Sequence, residues 1–125
     1  MGTQVINQIT EALVKGILSS NGSSVNSLGQ TIESNIGYMV STKPNLEYIV
    51  NTAEPLYFEV LAYVERVVGL LGANSAIGAW VDAKSGKVYL DVSECILDLN
   101  TAIKLAKQAN QKAIFDLNRK ETIYV

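Results

Sequence analysis

Ile77-Gly-Ala-Trp-Val-Asp82, Ala83-Lys-Ser-Gly86 and Lys87-Val-Tyr-Leu-Asp-Val92 read as strand, loop and strand. Apolar and polar residues alternate on either side of a four-residue connection that ends in glycine. That pattern is a β-hairpin. A loop of 83–86 sets the register: Asp82 opposes Lys87, Trp80 opposes Tyr89, and Gly78 opposes Asp91. Opposed residues share a face. One face therefore holds Ala79, Val81, Val88, Leu90 and Val92, a plain core surface. The other holds Trp80, Tyr89, Lys87, Asp82 and Asp91. An aromatic pair ringed by charges can stack on a planar ligand or anchor a protein contact. The plainer reading is a cross-strand aromatic pair packed beneath a second layer. On the binding reading, Tyr89→Ala leaves the melting temperature nearly intact, whereas Val88→Asp unfolds the chain.

Downstream, Asp98 or Asn100 can cap a helix that runs to about Asn110, with Leu99, Ala102, Ile103 and Ala106 on its inner face. Those side chains are mostly small, which suits close packing on a sheet. Lys112–Leu117 and Thr122–Val125 flank Asn118-Arg119-Lys120-Glu121 as a second hairpin, which would oppose Phe115 to Tyr124. The C-terminal part is thus an antiparallel ββαββ module.

Upstream the period changes. Val5, Ile9, Leu13 and Ile17 form a helical stripe behind Thr3 as a possible N-cap, and the run Ser19–Ser23 breaks it. Val25, Leu28, Ile32, Ile36 and Met39 recur at spacings 3, 4, 4, 3 and predict a second helix, capped by Ser23 or Ser24 and stopped at Lys43-Pro44. Leu46–Val50 fits a short helix or a strand. Asn51 and Glu54 make a capping box before Pro55, and the helix that follows runs to about Leu71 with Gly72 as its C′ residue. Its stripe of Leu56, Val60, Val64, Val68 and Leu71 is widened by Leu61 and Val67. The chain of 125 residues reads as one α+β domain: N-terminal helices, mainly within 1–72, packed on the C-terminal ββαββ sheet of 73–125.

Composition narrows the function. Apolar residues make up 48% and charged residues 18%, which excludes a disordered chain. A net charge of −2 argues against nucleic acid or an anionic membrane as partner. Histidine is absent, so the commonest general base and metal ligand are missing. Asp82 and Asp91 lie too far apart along the ladder for a glycosidase pair. Cys95 is alone, which points to a reducing compartment, and with no signal peptide visible a cytoplasmic protein is expected. The apolar run Val60–Val81 carries Glu65 and Arg66 and does not read as a membrane span. Neither a cofactor nor a metal site is implied. Lys112, Arg119 and Lys120, with Lys104 and Lys107 nearby in sequence, can grip a phosphate or carboxylate or simply be solvated surface.

The stretch Gly78–Ser93, Ala102 and Gln111-Lys-Ala-Ile-Phe-Asp-Leu117 resembles a pattern in small bacteriophage-encoded accessory proteins. Some proteins of that kind are anti-defence factors, and one class, the anti-Thoeris sponges, sequesters cyclic ADP-ribose-type signals without catalysis. The resemblance brings no site residue with it by position. It implies a non-enzymatic binding protein for a small anionic or nucleotide-like ligand, with Trp80, Lys87, Tyr89, Asp91, Lys112, Phe115, Arg119 and Lys120 as candidate contacts from the residue reading above. The alternative is a protein–protein inhibitor or structural accessory factor that acts through its apolar helices. Either way the number of apolar stripes exceeds what one small sheet can cover, so a homo-oligomer is expected.

Overall fold

The computed structural model describes residues 2–50 and 55–125. Helix α1 spans Thr3–Ser20 and buries Ile9, Leu13 and Ile17. Thr3 is its first helical residue rather than its cap. Gly2 stands at the N-cap position with no side-chain bond, and its carbonyl accepts from the amides of Val5 and Ile6. Asn21, left-handed at φ 64°, ends the helix as its C-cap.

The chain then enters strands where the sequence pattern predicted a second helix. Strand β1 is Gly22–Asn26 and β2 is Tyr38–Ser41. The helical spacing is coincidental: Val25 and Met39 are buried in strands, while Leu28 and Ile36 are 68% and 65% exposed in the intervening turns. A 3-10 turn at Pro44–Leu46 leads into the short strand β3, Tyr48–Ile49, so the ambiguous segment contains a little of each. The predicted Asn51/Glu54 capping box lies outside the described residues. Helix α2, Leu56–Val67, starts directly after Pro55 and tightens into a 3-10 turn, Val68–Leu70. Leu71 after it is extended, so Gly72 is not a left-handed cap.

The C-terminal module has its predicted element order, two strands, a helix and two strands. Strand β4 is Ser75–Val81, β5 is Val88–Ile96, α3 is Leu99–Gln108, β6 is Ala113–Asp116 and β7 is Glu121–Tyr124. Trp80 opposes Tyr89 and Gly78 opposes Asp91, the predicted register. Asp82 N–H donates to the Lys87 carbonyl, and Gly86 supplies the φ of 74° that closes the loop. Asp98 caps α3, accepting from the Thr101 amide at 2.8 Å. The second hairpin differs in register: Phe115 opposes Thr122, and Ala113 opposes Tyr124. The Asp116 carboxylate accepts from the amides of Asn118 and Arg119, and Lys120 takes φ 56°, which moves the four-residue turn one residue back, to 117–120, and the register by two.

All seven strands form one antiparallel sheet in the order β1-β4-β5-β2-β6-β7, with β3 also on β5. Strand β2, from the N-terminal part, is thus wedged between the two C-terminal hairpins. Helices α1 and α2 cover one part of one face, over Val25, Ile77, Ala79, Leu90 and Val92, and α3 covers the rest, over Val40 and Ile114. Most of the wide α2 stripe is satisfied within the chain, since Val60, Val64, Val67 and Val68 are all buried. The opposite face is the inside of a curl, and only a small cluster around Met39, Ala76 and Leu117 packs there. Among the described residues no helix is long and apolar enough to cross a membrane.

Candidate functional site

Strand β5 decides what lies inside the curl. Its even positions, Val88, Leu90 and Val92, belong to the helix-covered core. Its odd positions, Tyr89, Asp91 and Ser93, therefore face the other way. Pairing extends this inner row sideways: Asp91 opposes Gly78, which opposes Ser24 of β1, and Ser93 opposes Ser41 of β2. Both sheet edges bend toward one another, so residues of β1 and of β7 line one cleft of about 820 Å³. Its floor is Gly78, Asp91, Ser93 and Ser41. Trp80, Phe115, Ile32 and Tyr124 also line it.

The floor is polar and dry. Asp91, Ser93 and Ser41 are each only about 5% exposed, at 6%, 5% and 5%. Ser93 Oγ donates to Asp91 Oδ1 at 2.6 Å. Burial pushes the Asp91 carboxyl up to about 6. The Ser93 hydroxyl bond opposes this, the Glu47 charge adds to it, and a hydrogen bond from the Trp80 side chain opposes it again. Gly78 leaves room for that carboxylate, since a Cβ there would stand 2.5 Å from Asp91 Oδ1. Ser41 Oγ is buried with no hydrogen-bond partner among the described residues. A buried hydroxyl without a partner is costly in a folded chain, and it marks a place where a ligand atom or water would bond.

Trp80 and Tyr89 stack at 4.8 Å between centroids with 21° between planes. Tyr89 is 7% exposed and its ring is packed, with Lys112 Nζ donating to its hydroxyl at 3.3 Å, so its truncation should cost stability, against the sequence-based expectation. That bond holds the Lys112 ammonium above its ordinary range, and the same ammonium lies 3.9 Å from Asp82 Oδ2. The Ser85 hydroxyl, which donates to Asp82 at 2.9 Å, is the main reason the Asp82 carboxyl sits below its ordinary value. Asp82, Lys84, Ser85 and Lys112 line a second recess of about 440 Å³ together with Tyr124, which also lines the main cleft. Lys84 Nζ rests 5.0 Å above the Tyr124 ring, which ties the first hairpin tip to the sheet edge.

Of the eight predicted site residues, Trp80, Asp91, Phe115 and Lys120 line the cleft, and Tyr89 and Lys112 sit behind it and in the adjoining recess. Lys120 donates to the Ser34 carbonyl at 3.1 Å. Lys87 is exposed on the hairpin. Arg119 is turned outward, 3.7 Å from Glu121 on the surface. The basic cluster read from the sequence is thus divided between the cleft, the recess and solvent. Ser93 was legible as the next inward position of β5 after Asp91. Ser41 was not, because its strand was read as a helix end.

No family model, curated protein or solved structure matches this chain. The chemistry of the cleft therefore rests on the residues themselves. Among the described residues there is no group of three or more His, Cys, Asp or Glu side chains placed to hold a metal ion. What the arrangement offers is a flat aromatic wall, a buried acceptor, a buried hydroxyl seeking a partner, and lysines at the margins.

Proposed function

We propose that this chain is a non-catalytic binding protein that holds a small nucleotide-derived ligand in the cleft inside its curled sheet. The observation that carries the reading is the floor: Asp91, Ser93 and the partnerless Ser41 Oγ are buried together beside the Trp80 ring. A heterocycle satisfies both parts at once, its face on the aromatic wall and its polar edge on the floor. Lys120 at the cleft and Lys84 and Lys112 in the adjoining recess then suit the phosphate groups. The acidic residues Glu33 and Glu121 also line the cleft, so the phosphates belong at the lysine end and not over the floor.

Binding without turnover is supported by the sequence, which holds no histidine to move a proton. Together with the resemblance to phage accessory proteins, this favours sequestration of an immune signal in the host cytoplasm. A homo-oligomer belongs to the same reading, with exposed Leu18, Phe58 and Leu70 as apolar surface for contact between copies. Those residues also favour the second reading, an inhibitor that binds a host protein through its helices. The deciding experiment is incubation with a nucleotide mixture, isolation of the complex, denaturation and analysis of what is released. Intact nucleotide in stoichiometric amount supports the sponge. Cleaved product over many turnovers, or no retained nucleotide, overturns it.

A further inference from the structure

Resting on the nucleotide reading above, we infer that the cleft floor selects heterocycles carrying an exocyclic amine beside a ring acceptor, as in adenine or cytosine, over those carrying a carbonyl at that place. An ionised carboxylate only accepts hydrogen bonds and has about four lone-pair sites. Asp91 receives a bond from Ser93 Oγ, which leaves acceptor capacity unused. Among the described residues no ion pair reaches it; the two present join Lys112 to Asp82 and Arg119 to Glu121. A buried acceptor with no cation beside it calls for a ligand N–H.

Ser41 supplies the second half of the code. It opposes Ser93, whose hydroxyl is already committed to Asp91, so the free Ser41 hydroxyl stands one strand away from the carboxylate on the same floor. A hydroxyl can donate to a ring nitrogen while the carboxylate accepts from the neighbouring amine. A carbonyl in place of the amine would set its lone pairs against those of Asp91 and leave both unsatisfied. A site built to hydrogen-bond one group rejects an isostere that lacks it far more strongly than a purely apolar pocket rejects a change in size. Gly78 keeps the carboxylate in this position, since any side chain there would meet Asp91 Oδ1.

The test uses adenosine and inosine monophosphates, which differ in the amine or carbonyl at one carbon of the ring and in the protonation of its neighbour. Both are titrated against the whole protein by calorimetry, with cytidine and uridine monophosphates as a second pair. The amino member should bind about ten- to a hundredfold tighter in each pair. Asp91→Asn adds an N–H donor that can meet a carbonyl, so it should collapse or reverse the preference. Should that variant fail to fold, Ser41→Ala decides, because loss of the hydroxyl should weaken adenosine monophosphate binding by about tenfold. Equal affinities within each pair, tighter binding of the oxo member, an unchanged ratio in Asp91→Asn, or unchanged adenosine monophosphate affinity in Ser41→Ala overturns the inference and leaves nucleotide binding standing. Failure of all four nucleotides to bind the wild-type protein overturns the nucleotide reading itself and the inference with it.

Discussion

Replacing Asp91 by asparagine should change how stability depends on pH, and by an amount set by burial. The carboxyl is lifted from 3.8 to about 6 in the folded chain. At 1.36 kcal/mol per tenfold change in proton affinity, that is about 3 kcal/mol. The sign follows from linkage. The folded state holds the proton more tightly than the unfolded chain, so this group's stabilisation is complete below 3.8 and is lost as pH rises through 6. Between pH 4 and pH 8 the wild-type protein therefore loses about 2.5 kcal/mol through Asp91 alone. Asparagine carries no charge at either pH, but its NH2 group puts a buried donor where the carboxylate had an acceptor oxygen, a loss of about 1 kcal/mol. Asp91→Asn should therefore be the less stable protein at pH 4 and the more stable one at pH 8. Urea unfolding of both proteins at several pH values measures the difference, in which the opposing contributions of Asp82 and Asp98, whose carboxyls are lowered, cancel. Two stability curves that stay parallel from pH 4 to pH 8 would refute the claim that this carboxylate is buried without a cation.

Other expectations follow from the same geometry. Gly78→Ala should cost about 1–3 kcal/mol, read as a lowered melting temperature, because the new Cβ meets Asp91 Oδ1 at 2.5 Å and the buried carboxylate must leave its place beside Ser93; an unchanged melting temperature would mean that the carboxylate moves aside freely. Leu90→Ala, at a fully buried position on the helix side of the sheet, should cost about 2–5 kcal/mol and leave ligand affinity intact in the folded fraction, whereas Trp80→Ala should weaken nucleotide binding at least about tenfold with a smaller loss of stability. The opposite pattern in calorimetry would exchange the roles of the two faces. Light scattering at micromolar concentration should give a multiple of 13.5 kDa, and Phe58→Ser should lower it; a mass of one chain for the wild-type protein contradicts the oligomer.

Local signals made the C-terminal module legible. The β4–β5 hairpin declares itself through its period of two and Gly86, and α3 through Asp98 and its row of small residues. The inner face with Trp80, Tyr89 and Asp91 could be drawn from register alone. The N-terminal strands could not. Val25 and Met39 fall on a helical spacing by chance, and what prevents the helix is turn chemistry between them, with Gly29 at φ 81° and Gly37 at φ 99°. Strand β2 finds its place by pairing with β5 and β6, more than fifty residues away, which no local window contains. That one missed strand hid Ser41, one of the four residues of the cleft floor. The second hairpin slipped because the Asx turn at Asp116 and the left-handed Lys120 outweighed the simpler loop.

Trp80 is the sole tryptophan in the chain and lines the cleft, so its fluorescence reports directly on occupancy there. Adenosine monophosphate should quench that emission along a saturable curve, through stacking on the indole, and added salt should shift the curve to higher concentration by screening the lysine–phosphate contacts. Emission that declines only linearly with nucleotide, with no saturation at any salt concentration, would contradict a binding site inside the curl of the sheet.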